Sequence, residues 1–109
     1  MYLIRGDSHD SRTLERVKKI LGGEELDFLF IDGDHTYEGV RRDFEMYSPL
    51  VRRGGVVAFH DIVPHDRAHD PYGQVGVPKF WSEIKSRYRH LEIVKDWSQG
   101  WAGIGVLFL

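Results

Sequence analysis

The 109-residue chain is predicted to fold as a single α/β domain over residues 1–109, an open parallel sheet with an antiparallel hairpin at its C-terminal end. Three observations predict it. Strand-length apolar runs alternate with segments of helical period, as in units that cross over right-handedly between parallel strands. The runs Asp27 to Ile31 and Val56 to Phe59 are almost continuously apolar, the pattern of strands buried on both faces of a parallel sheet. The last two strand candidates are joined by a short turn, which suits an antiparallel pair.

The elements follow in order. Tyr2 to Arg5 reads as a short strand closed by Gly6-Asp7-Ser8. Asp10 or Ser11 can cap a helix in which Leu14, Val17 and Leu21 recur at helical spacing, and Gly22-Gly23 stops it. After the strand Asp27 to Ile31, Thr36 is a suitable N-cap. Val40, Phe44, Tyr47 and Val51 then mark one helical face, with Arg41, Arg42, Asp43 and Glu45 expected to point outward. Pro49 falls near the end of this helix, and Arg53-Gly54-Gly55 reads as a turn before the strand Val56 to Phe59. Ile62 to Gly76 is a polar loop with Pro64, Pro71, Gly73 and Gly76. A third helix has Pro78 in its first turn and Val77, Trp81, Ile84 and Tyr88 on one face. Leu91 to Val94 and Ala102 to Leu109 are the hairpin strands, with Gly103 and Gly105 allowing close backbone approach.

Composition narrows the function. Apolar residues make up 41% of the chain and aromatic residues 13%, enough for a packed core and against disorder. A net charge of −2 argues against a nucleic-acid partner. The absence of cysteine excludes disulfides and thiolate metal sites and fits a cytoplasmic location. No apolar run is long enough to span a bilayer, and the N-terminus has no signal-peptide layout.

Ligands of open α/β sheets bind outside the carboxyl ends of the strands. Three predicted strands end there in polar groups: Gly6-Asp7-Ser8, Asp32-Gly33-Asp34-His35 and His60-Asp61. If the second and third are neighbours, Asp32 and Asp61 come close enough to repel, and a divalent cation is one way to relieve that repulsion. His35, at the helix start, is then placed to act as a base. Each residue alone has a plainer reading. An aspartate after a strand often caps a helix or shapes a turn, and His60 alone is an ordinary hydrogen-bonding residue. His65-Asp66 and His69-Asp70 read as a solvated loop, and Trp81, Tyr88, Trp97 and Trp101 as core or interface.

The segment DFLFIDGDHTYEGVRRDFEMYSPLVRRGGVVAFHDIVP, with GVPKFWSEIK after it, resembles class I S-adenosylmethionine (SAM)-dependent methyltransferases. The likeness is closest to the branch of cephalosporin-hydroxylase-like proteins and metal-dependent O-methyltransferases. It covers Ile4 to Leu109 and implies a Rossmann-like three-layer fold. It also implies roles by position. Gly6, Asp7 and Ser8 match the turn that holds the cofactor's adenine, with Asp7 on the amino group. Asp32 matches a metal ligand beside the cofactor, His35 the general base, and His60 with Asp61 the pair completing the metal site. His60 stands 28 residues after Asp32, as in that pattern. The family pair is acidic, and His60 departs from it. Mg²⁺ prefers all-oxygen sites, whereas imidazole suits Mn²⁺, Fe²⁺ or Zn²⁺ better.

The resemblance lacks the family's first two strands and its Gly-rich G-x-G-x-G loop, so the chain is expected to be the C-terminal portion of a truncated methyltransferase fold. Its free strand edge then calls for a homo-oligomer or a missing N-terminal portion as partner. The function implied is O-methyl transfer to a small polar or sugar-like acceptor when the site is complete, with the isolated chain weak or inactive. A non-catalytic assembly module and a metal-dependent hydrolase built on the same residues are the alternatives.

Overall fold

The computed structural model describes all of residues 1–109. Three helices, α1 (Ser11–Leu21), α2 (Tyr37–Tyr47) and α3 (Val77–Ile84), are interleaved with strands β1 (Leu26–Ile31), β2 (Val51–His60), β3 (Arg89–Ile93) and β4 (Ile104–Phe108). The local signals operate as expected. Asp10 caps α1 by accepting the Arg12 N–H, and Gly22 closes it in left-handed backbone at φ 59°. Thr36 caps α2 by accepting from Gly39 N–H. Short 3-10 turns, Ser48–Leu50 and Lys85–Arg87, end α2 and α3.

The sheet order is β1-β2-β4-β3. β1 and β2 are parallel, and β4 runs antiparallel to both β2 and β3. β1, β2 and β3 therefore point the same way, and their tips share one edge. Val57, Phe59 and Leu107 of the sheet pack against Val40 and Phe44 of α2 and Phe80, Trp81 and Ile84 of α3. Phe59 lies 5.7 Å from Phe44 and 5.9 Å from both Phe80 and Trp81, ring centre to ring centre. Gly105 makes this possible, because a Cβ there would stand 2.7 Å from the Trp81 ring.

Four departures from expectation have physical causes. Tyr2 to Arg5 is not a strand: no neighbouring strand supplies its backbone with partners, and Met1 to Leu3 are exposed. Arg53-Gly54-Gly55 is not a turn between elements but a bulge inside β2, which starts at Val51. There Gly54 at φ 84° donates to Leu109 O, and Leu109 N–H donates to Gly55 O. Asp43, expected to face outward, is buried. Finally, the expected third layer does not form. α2 and α3 cover one face of the sheet, while Phe28, Phe30, Leu91, Ile93 and Phe108 on the other are 40–55% exposed. The register places Phe28, Val56 and Phe108 in one row and Phe30, Ala58, Val106 and Leu91 in the next, a continuous apolar surface. Trp97 and Trp101, expected in core or interface, are about half exposed.

Candidate active site

The register between β1 and β2 builds the site. Ile31 pairs with Phe59, so the residues that follow them, Asp32 on one strand and His60-Asp61 on the other, emerge side by side. The turn that leads into α2 brings His35 back over the same point. Its Nε2 lies 3.0 Å from Asp32 Oδ1 and its Nδ1 2.5 Å from Asp61 Oδ2. His60 Nδ1 lies 3.2 Å from Asp61 Oδ1 and 3.5 Å from Asp32 Oδ1. One donor atom from each of Asp32, His35, His60 and Asp61 falls within 4.8 Å of the others.

Asp61 is the fixed point. Its side chain is only 7% exposed, and its backbone is left-handed at φ 76°. Asp61 N–H donates to Gly103 O, and Ala102 N–H donates to Asp61 Oδ1. His60 Nδ1 is buried and makes no hydrogen bond. Two carboxylates with an orphaned imidazole nitrogen between them form a mixed oxygen and nitrogen donor set. That set fits a divalent cation of the Mn²⁺ to Zn²⁺ kind better than the all-oxygen surroundings Mg²⁺ prefers.

A groove of about 400 Å³ opens beside this cluster along the free edge of β1. Gly6, Ser8 and Asp32 all line it, with Val17 of α1 and Tyr47 of α2. The 6–8 turn is held there by α2. Ser8 Oγ donates to Asp43 Oδ1 at 2.7 Å, Tyr47 OH donates to Ser8 O at 2.8 Å, and His9 Nε2 lies 3.1 Å from Asp43 Oδ1. Asp7 is not among the groove residues; its side chain is 71% exposed and accepts from His9 N–H. Asp34 shapes the entry to α2. The N–H of Thr36, and then its hydroxyl, hold the Asp34 carboxyl below its ordinary pKa.

The loop from Ile62 to Gly76 is not simply solvated. Ile62 and Val63 are in the core, and the His65 side chain is 7% exposed. His65 Nδ1–H donates to Val63 O at 2.9 Å, which leaves Nε2 facing Asp61 Oδ1 at 3.6 Å. Farther along, Asp66 N–H donates to Gly100 O, and the His69 ring stacks on Trp101 at 5.3 Å. The expectation of a solvated loop thus fails at His65. The signal present was the four-residue step from Asp61, which a turn after the strand tip converts into proximity.

Comparison with known proteins identifies the family and the fold. A family model described as "Methyltransferase domain" matches residues 1–62. A protein named probable caffeoyl-CoA O-methyltransferase 2, from Dictyostelium discoideum, is 39% identical over 67 residues, which is 60% of this chain and 27% of that one. The O-methyltransferase TomG from Streptomyces achromogenes, solved in complex with SAM, superposes over 92% of this chain and 47% of its own, with a TM-score of 0.61 and 19% identity. An O-methyltransferase family protein from Burkholderia thailandensis covers 98% of this chain and 35% of its own, with a TM-score of 0.63 and 15% identity. The chain thus spans about a quarter of the length of its curated relative and less than half of these solved ones.

Proposed function

The chain belongs to the methyltransferase-domain family with the class I fold, and from that premise we propose that it carries the acceptor-side part of a site for SAM-dependent O-methyl transfer to a small polar or sugar-like acceptor. The observation that carries this reading is the meeting of Asp32, His35, His60 and Asp61 at one sheet edge, beside the groove lined by Gly6 and Ser8.

SAM would supply a sulfonium-bound methyl group, which the acceptor oxygen takes by in-line displacement. The chain's own residues prepare that oxygen. Asp61 holds His35 Nδ1–H, which orients the imidazole and leaves Nε2 to receive the acceptor's proton once the acceptor displaces the Asp32 contact. Gly6 and Ser8 bound the adenosine end of the groove, and the Asp43 network keeps their turn in place. Asp32, His60 and Asp61 would hold a divalent metal, and of Mg²⁺ and Mn²⁺ the imidazole donor favours Mn²⁺; the metal would lower the acceptor's pKa. No helix is long and apolar enough to cross a membrane.

The test is methyl transfer from labelled SAM to a panel of hydroxylated acceptors with Mn²⁺ present. It is run on the chain alone and on the chain together with a segment supplying the G-x-G-x-G strand. Activity dependent on that segment and lost in H35Q is expected. No product in either arm would overturn the reading, and micromolar SAM affinity of the chain alone would overturn its expected weakness as an isolated unit.

A further inference from the structure

We propose that His35 is a fourth donor of the metal site, so that Zn²⁺ or Co²⁺ closes the site and withdraws the base, whereas Mn²⁺ leaves His35 free. The inference rests on the reading of Asp32, His60 and Asp61 as metal ligands and of His35 as the base. To that reading it adds regulation of the site by the identity of its ion.

Three observations carry it. The first is reach: one donor atom from each of Asp32, His35, His60 and Asp61 lies within 4.8 Å of the others. Neighbouring donors are 3.0 Å apart from His35 Nε2 to Asp32 Oδ1, 3.2 Å from His60 Nδ1 to Asp61 Oδ1 and 3.5 Å from His60 Nδ1 to Asp32 Oδ1. Donors about 2.0–2.2 Å from one tetrahedral ion stand roughly 3–4 Å apart, which matches this spacing. The second is polarity. A neutral imidazole carries one proton. Asp61 Oδ2, 2.5 Å from His35 Nδ1, takes it, so the Nε2 lone pair faces Asp32 Oδ1, itself an acceptor. A cation between them turns two opposed acceptors into two ligands. The Asp61 contact at the far nitrogen is also the arrangement that orients histidine ligands of metals. The third is His60, whose buried Nδ1 makes no hydrogen bond and lies against the same two carboxylates.

Two imidazoles and two carboxylates make a complete tetrahedral set. Sites closed in that way are structural ones for Zn²⁺, whereas catalytic sites keep a position open. Without His35 the same site has three protein donors and room for the acceptor oxygen. Mn²⁺ stands at the weak end of the affinity order for such sites, and Co²⁺ and Zn²⁺ stand above it. The ion that binds imidazole strongly therefore takes His35 Nε2, and the ion that binds it weakly leaves that atom to receive the acceptor's proton. The side chains of His35 and Asp32 are partly exposed, so an ion can enter from solvent.

The metal arm of the test needs no SAM. Zn²⁺, Co²⁺ and Mn²⁺ are titrated singly into the purified chain. X-ray absorption on the Zn²⁺ complex counts imidazole donors, and the visible spectrum of the Co²⁺ complex reports its geometry. Two imidazoles are expected in the wild type and one in H35Q, with tetrahedral Co²⁺ bands in the wild type. Zn²⁺ affinity should fall at least about tenfold in H35Q, and Mn²⁺ affinity should stay within about threefold. Fewer than two imidazoles in the wild type, an unchanged count in H35Q, or six-coordinate Co²⁺ overturns the proposal. Should H35Q not fold, H65Q decides: two imidazoles retained there support His35 as the second donor, and one overturns it. In the assembled enzyme, excess Zn²⁺ added over Mn²⁺ should abolish methyl transfer, and chelation followed by Mn²⁺ should restore it. Transfer that runs equally well with Zn²⁺ overturns the withdrawal of the base. Absence of transfer with every ion overturns only the proposed activity, and the imidazole count still decides the fourth donor.

Discussion

Asp61 and Ala102, the two non-glycine residues in left-handed backbone, are bonded to each other: Ala102 N–H donates to Asp61 Oδ1 at 3.2 Å. Val63 N–H also donates to Ala102 O, and Asp61 N–H to Gly103 O. The exit of β2 and the entry of β4 are thus stitched together at the point where both backbones are least relaxed. Such strain persists only where surrounding contacts over-determine it. Here it holds a buried carboxylate toward His35 and His60.

Ala102 offers a direct check of that strain. A102G removes the steric cost of φ 65° but frees the unfolded chain, so its stability should stay within about 1 kcal/mol of the wild type. A102V places a β-branched side chain in the same backbone and should lose about 1–3 kcal/mol. Urea denaturation midpoints measure both, and equal midpoints would mean that the position is not strained.

His35 is the residue on which the proposed chemistry turns. In the assembled enzyme, H35Q should lower the methyl-transfer rate by about 10²–10⁴-fold. SAM affinity should change only a few-fold, since His35 does not line the groove of Gly6 and Ser8. Single-turnover kinetics with calorimetry separates the two, and a variant that transfers methyl groups at the wild-type rate removes His35 from the role of base.

Gly105 should not tolerate a side chain. Its missing Cβ is the space that the Trp81 ring occupies, and the Trp81 indole N–H is further fixed by donating to Glu92. G105A should cost about 1–3 kcal/mol through forced repacking. Thermal melts and the indole fluorescence maximum report it.

Acid should loosen the loops before the core. Asp34, Asp70 and Asp96 are held below the ordinary carboxylate value of 3.8, each chiefly by a backbone N–H: that of Thr36, Gln74 and Ser98 respectively. Their folded-state pKa values are depressed, so the unfolded chain binds protons more readily. The stability they contribute is present above the ordinary value and disappears as pH falls through the depressed ones. The melting temperature should hold from neutral pH to about pH 5 and fall below about pH 4. D34N should show a shallower acid limb, and an identical limb would exclude Asp34 as a contributor.

The open sheet face and the unpaired edge of β1 should drive association of the isolated chain. Phe28, Phe30, Leu91, Ile93 and Phe108 form an apolar surface of the kind that marks an interaction site or invites association. Light scattering at micromolar concentration should show a dimer or larger species, and replacing Phe28 and Leu91 with serine should reduce it. A clean wild-type monomer would contradict this.

Much of the fold was legible locally. Asp10 and Thr36 announce α1 and α2, the spacing of Val40 and Phe44 marks the buried face of α2, and the short turn before β4 announces the hairpin. Helix caps and periodic faces are decided within a few residues, so they can be read from a few residues. The charged strand tips were legible too, because an apolar run that ends in Asp-Gly-Asp-His marks the sheet edge where ligands bind.

Other features depend on partners far along the chain. Tyr2 to Arg5 has strand composition but no strand beside it, and a β-strand exists only through hydrogen bonds to a neighbour. Asp43 reads as a surface residue until Ser8 and His9 are folded over it. His65 reads as part of a polar loop until Ala102 and Gly103 pin the chain around Asp61 and turn its ring inward. The amino-acid order alone thus settled which segments are helices and which strand tips carry charge, and it brought Asp32 and Asp61 together only on the condition that their strands are neighbours, which the β1–β2 register meets. Which imidazoles surround that pair, and which sheet face stays bare, came only from packing, because burial and donor spacing are set by register between residues that the sequence holds far apart.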